Sequence, residues 1–187
     1  EQAVAVPSEE LGEGGGEEAE ERAVSGKFRP FASTLRLRGS SIGWGYGGGS
    51  PDAVAIRVHA PVPPGGAYLA GLLMFGGQAG KYEPEMFVRT GLNSTGGEVV
   101  YQEKCAYETP AGSLEGVPVP FSTPVKLEPE TDYVVGFVMR CPQQSAHGNG
   151  AGLPTAMVDT TMGFSYTVQG AQGPSNGTSA GGGVIPG

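Results

Sequence analysis

Tyr68-Leu69-Ala70-Gly71-Leu72-Leu73-Met74-Phe75 is the longest unbroken apolar run in the chain. Pro63-Pro64-Gly65-Gly66 precedes it and Gly76-Gly77 follows it. Eight residues between such breakers are too few for a buried helix and suit a strand covered on both faces. A second strong segment, Asp132–Arg140 (DYVVGFVMR), has the same character. Between and around these two, Ala53–His59, Glu85–Thr90 and Glu98–Glu103 are short segments rich in β-branched and aromatic residues. Thr95-Gly96-Gly97 joins the last two as a hairpin connection.

Working outward, Pro61–Gly66 predicts a turn. Val117–Phe121 predicts a short strand that Pro118 and Pro120 confine to a sheet edge, with Val125–Leu127 as its continuation. Ala156–Val158 and Met162–Val168 predict a last hairpin around Asp159–Thr161. Leu35-Arg36-Leu37-Arg38 alternates as a strand with one exposed face does, whereas Gly39–Ser50 reads as turn-rich. Ser145–Gly150 reads as a polar loop, and Gln169–Gly187 as loop with one apolar pair, Val184-Ile185. Leu72, Met74, Val134, Gly136, Val138, Phe164 and Tyr166 are the central core candidates. No helical period persists, and 34 Gly with 16 Pro disfavour long helices. Eight to ten short strands with turns between them specify an all-β, antiparallel sandwich or barrel over residues 27–187.

Residues 1–26 differ in kind. They hold eight Glu against one Arg, a net of −7, which leaves −1 of the chain's −8 for the rest. Gly-rich and without aromatics, this segment cannot bury enough apolar surface to order itself, so it is expected to be an irregular acidic tail, disordered or docked on a partner. The nearly neutral remainder offers no basic stripe for nucleic acid. No stretch approaches the roughly 20 apolar residues that span a bilayer. The opening residues also lack the basic flank and apolar run of a signal peptide. Cys105 and Cys141 are too few for a disulfide scaffold; reduced thiols in a cytoplasmic protein are the default, and a single bridge is the alternative.

Three stretches in order resemble the PHR domain, named after the Pam/Highwire group of giant ubiquitin ligases and found also in certain BTB-domain proteins. They are Trp44-Gly45-Tyr46-Gly47-Gly48-Gly49-Ser50-Pro51-Asp52-Ala53, then Leu69–Gly77 with Tyr82, and finally Phe164-Ser165-Tyr166 through Ser175-Asn176-Gly177-Thr178 to Val184-Ile185-Pro186. Phe121–Leu127, Tyr133 and His147-Gly148 fall between them. The resemblance implies an antiparallel β-sandwich without catalytic activity of its own. It implies a domain that recognises a protein or peptide within a ubiquitin-ligase or adaptor setting. The family usually continues past Ile-Pro with a further apolar strand, whereas this sequence stops at Gly187. Nothing in it resembles a BTB or RING module. A structural component held stoichiometrically in a filament or large assembly, and so cytoskeleton-associated, is therefore the alternative reading.

The residues themselves agree on the absence of chemistry. His59 and His147 are the only histidines; neither has the Ser and carboxylate placement of a triad, and His59, alternating with Arg57, is expected to face solvent. The Cys and His spacings lack metal-ligand pairing, and no cofactor motif is present. The Gly-rich run after Trp44 has no Lys-Ser/Thr and leads into a strand, so it is not a phosphate loop. It instead carries Trp44 and Tyr46 on a backbone free to turn, and both residue types anchor interfaces. Trp44, Tyr46, Ser50, Asp52, His147, Asn149, Asn176 and Thr178 are the candidate partner-binding residues, expected on loops gathered at one end of the sandwich. Asp52 and the Asn176-Gly177-Thr178 turn have a plainer reading as turn-holding groups.

Overall fold

The computed structural model describes residues 3–7, 28–32, 41–45, 49–113, 116–142, 144–149, 155–159, 163–174 and 184–186. Within them the chain runs through fifteen strands and no helix: β1 (Ala3–Pro7), β2 (Phe28–Ala32), β3 (Ser41–Gly45), β4 (Asp52–His59), β5 (Ala67–Phe75), β6 (Gly80–Tyr82), β7 (Glu85–Thr90), β8 (Val99–Lys104), β9 (Tyr107–Thr109), β10 (Gly116–Leu127), β11 (Asp132–Val138), β12 (Gln144–Asn149), β13 (Thr155–Asp159), β14 (Ser165–Gly170) and β15 (Val184–Pro186). All strand pairings are antiparallel. A six-stranded sheet has the order β13-β14-β4-β11-β7-β8, and a four-stranded sheet the order β10-β5-β1-β2. A three-stranded sheet, β15-β12-β3, and the pair β6-β9 complete the set.

The alternation of the strands explains the layering. Ile56, Val58, Met86, Val88, Tyr133, Val135, Phe137 and Tyr166 bring one face of the six-stranded sheet into the main core. Ala67, Leu69, Leu72, Met74, Val119, Phe121 and Leu127 bring the four-stranded sheet to meet it. The fold is thus the expected all-β sandwich. The strand that anchors it, β5, lies between β10 and β1. Along β5 the buried positions switch from Ala67 and Leu69 to Leu72 and Met74, a change of parity at Gly71. There the neighbouring β10 comes so close that a Cβ on Gly71 would stand 2.4 Å from the Val119 carbonyl oxygen.

Most expected strands are in place. β10 is an edge strand, as its prolines require, and its register breaks between Pro120 and Val125. The β7–β8 hairpin turns at Gly97, whose φ of +75 and close approach to the Thr90 carbonyl leave no room for a side chain. Of the core candidates, Val138 is half-buried and the other six are buried. Arg57 forks onto Asp132 through bonds of 2.8 and 2.6 Å, tying β4 to β11. Leu35–Arg38 lies outside the described residues.

Four expectations need correction. The turn-rich Gly39–Ser50 contains strand β3, the polar Ser145–Gly150 is largely strand β12, and Val184-Ile185 belongs to β15. Small, polar and Gly-rich segments have little strand propensity of their own, but three of them satisfy one another's backbone groups by pairing. His59 is not simply solvated: its Nε2 lies 2.5 Å from Thr167 Oγ1 and its Nδ1 lies 3.4 Å from Glu130. Apart from these four, β1 (Ala3–Pro7), at the start of the acidic segment, lies between β5 and β2. Pro7 pairs with Phe28, so residues 8–27, which lie outside the described residues, link two adjacent strands.

One side of the sandwich is strapped by side chains. The Tyr101 ring packs on Phe121 at 4.4 Å, its hydroxyl donates to Glu103, and the Ser122 amide donates to both. Hydrogen bonding from Tyr101, then from Ser122, holds the Glu103 carboxyl below its usual range.

Gly71→Ala should lower stability by about 1–3 kcal/mol in urea denaturation, because the added methyl meets a backbone carbonyl rather than a movable side chain. Tyr101→Phe should cost about 0.5–1 kcal/mol at neutral pH, since the strap is partly solvated. Glu103's folded pKa is depressed, so that stability is present above the usual carboxylate pKa and is lost as pH falls through the folded value. Stability measured against pH should therefore show wild type and variant converging in acid.

Candidate functional site

The β15-β12-β3 sheet brings distant parts of the sequence together by register. Trp44 lies opposite Ser145, and His147 lies opposite both Ser41 and Pro186. Asn149 lies opposite Val184. The register slips between Ser145 and Ala146, a local irregularity beside Trp44. Three of the candidate residues, Trp44, His147 and Asn149, thus share one sheet, on strands rather than on the loops expected for them. Tyr46, Asn176 and Thr178 lie outside the described residues.

Ser50 and Asp52 enter from the connection between β3 and β4. Ser50 is half-buried. Asp52 is only 4% exposed, opens β4, and is the register partner of Phe137 near the end of β11. A carboxylate this buried is not on the surface of the sandwich. Gly49, at a φ of +64, packs against the Arg140 guanidinium: a Cβ there would stand 2.7 Å from Arg140 Nε. Gly49, just before β4, and exposed Arg140, just after β11, therefore meet at this end of the six-stranded sheet.

The start of β12 is pinned from below. The Tyr82 hydroxyl donates to the Gln144 carbonyl at 2.9 Å and lies 3.0 Å from the Gln78 carbonyl, while accepting from the Gln78 amide at 3.2 Å. The Gln78 side-chain oxygen accepts from the Gln144 amide at 3.1 Å. Tyr82, fully buried, stacks on Tyr107 at 5.1 Å, and the Tyr107 hydroxyl donates to the Phe75 carbonyl. A column of two tyrosines thus connects the end of β5 to the small sheet. Gln78, Arg140 and Gln144 escaped the sequence reading, since isolated polar residues carry no pattern. Tyr82 was visible only as part of the family resemblance.

Chemically this end offers hydrogen-bonding backbone, amides and one exposed guanidinium, which are means of recognition. Among the described residues no three His, Cys, Asp or Glu side chains form a group able to hold a metal ion. Both cysteines are free thiols. Cys105 packs against the main core, and burial, with a smaller contribution from Glu103, pushes its thiol up to about 11, which suppresses the reactive thiolate.

Comparison with known protein families matches the PHR domain over residues 35–187. No curated protein matches the chain.

Tyr82→Phe should cost about 0.5–1.5 kcal/mol, because it removes the part-buried hydroxyl that bonds the Gln78 and Gln144 carbonyls. Hydrogen exchange should accelerate at Gln78 and Gln144, with the β4–β11 pair unaffected.

Proposed function

Because the chain belongs to the PHR domain family, whose members are interaction domains, we propose that it recognises a protein or peptide partner, without catalysis, at the end of the sandwich that carries the β15-β12-β3 sheet. It does so within a ubiquitin-ligase or adaptor complex of the cytoplasm. The observation that carries this reading is the convergence of Trp44, His147 and Asn149 on one small sheet. These residues come from segments about a hundred positions apart in sequence. The Tyr82–Tyr107 column ties the start of β12 to the end of β5, which supports this reading. In this reading Trp44 and Tyr46 are the aromatic anchors, and Asn149, Asn176 and Thr178 are hydrogen-bonding contacts. Asp52 acts from below as a positioning group.

A second reading draws on the strand β1. The acidic residues 8–27 are bracketed by two paired strands, so their charge is tethered at both ends to the domain. A scaffold bound stoichiometrically in a large assembly would use that arrangement to meet a basic surface.

Affinity purification separates the two. Compared with wild type, Trp44→Ala should lose the partners while a chain with Glu9, Glu10, Glu13, Glu17, Glu18, Glu20 and Glu21 changed to Gln retains them. Recovered ligase components or their substrates support the first reading. Loss only on charge removal, with assembly proteins recovered from wild type, supports the second.

A further inference from the structure

Two observations on paired residues converge at the far edge of the six-stranded sheet. Val99 and Val100, on edge strand β8, are 40% and 42% exposed, two adjacent apolar side chains left in water. Arg89, the register partner of Val99, has its Nε buried and without a hydrogen-bond partner. Its guanidinium lies 5.6 Å from the centre of the Phe87 ring, and none of the ion pairs among the described residues includes it. A buried guanidinium N–H with no acceptor is costly, and a carboxylate is the acceptor whose geometry matches its fork.

The neighbouring groups do not meet that need. Glu85 shares this face, but it accepts from Gln102 at 2.6 Å. Beyond Arg89 the face is apolar: Phe87, Val134, Ala53, Ala55 and Ala171 are buried together there. The register slips between Val88 and Arg89, and Val100 is passed over on the facing strand, so this bulge turns both valines outward. An edge strand also presents unpaired backbone N–H and C=O groups to an added strand.

We propose that the β8 edge is a docking site for an extended peptide segment that places a carboxylate on Arg89 and apolar side chains on Val99 and Val100. A doubly charged phosphate is a poorer match, because Arg89 is a single cation on a largely apolar face and Lys104 lies at the other end of β8. The added strand would supply main-chain hydrogen bonds, while the Arg89 and valine contacts would set which segment is chosen. This inference rests on the reading of the chain as an interaction domain but names a surface other than the small sheet.

The test is a titration of the full ¹⁵N-labelled chain with acetyl-Ser-Val-Glu-Val-Ser-amide, followed by NMR. Saturable shifts are expected at the amides of Val99–Gln102 and at the Arg89 Nε–H. The same peptide with Gln for Glu should bind about tenfold more weakly. Arg89→Gln should abolish the preference for Glu. The double variant Val99→Thr, Val100→Thr, which changes exposed side chains only, should weaken both peptides. Equal binding of the two peptides, or no saturable shift up to millimolar peptide, would overturn the proposal. Shifts confined to residues 41–45 and 144–149 would also overturn it while leaving the interaction-domain reading intact.

Discussion

Everything in this domain depends on burying β5. The strand sits between β10 and β1 and turns Ala67, Leu69, Leu72 and Met74 into a core shared with β4, β7 and β11. Leu69, Leu72 and Met74 each contribute about 1.5–3 kcal/mol when taken out of water, a share of the burial that the whole core must supply against the entropy of ordering the chain. The parity switch at Gly71 is what lets a single nine-residue strand keep its apolar side chains inward along its length. The constraint reaches the candidate site directly. Phe75 ends β5, its carbonyl receives the Tyr107 hydroxyl, Tyr107 stacks on Tyr82, and Tyr82 holds the first residue of β12.

The main sandwich was legible in sequence because its signals are local. Strands β4, β5, β7, β8 and β11 are short runs of β-branched and aromatic residues between Gly and Pro, and Pro118 and Pro120 alone placed β10 at an edge. The small sheet was not legible. Ser41–Gly45, Gln144–Asn149 and Val184–Pro186 are strands only because they pair with one another, and propensity cannot register pairing across such separations. The same holds for β1, where Ala3–Pro7 reads as the start of an acidic segment yet takes a place inside the four-stranded sheet.

The candidate site divides along the same line. The residue types were identifiable from an aromatic Gly-rich run and polar turns, and register then brought Trp44, His147 and Asn149 into one sheet. The supports, Gln78, Arg140 and Gln144, are ordinary polar residues whose importance comes from what lies next to them. Asp52 illustrates the opposite case. Its type suggested a contact residue, but at 4% exposure its place is under the surface. The Arg89–Val99 pair was invisible for a further reason: an unmatched guanidinium and a bulged valine become meaningful only when the register is known.

The account's central claim is that the small sheet is the recognition surface of a non-catalytic interaction domain. Hydrogen-exchange mass spectrometry on the chain with and without a partner captured from cell extract tests it most directly. The account predicts that the partner slows exchange in peptides covering residues 41–45 and 144–149, with the β4–β11 core unchanged. Protection that leaves both segments as exchangeable as in the free chain would contradict it.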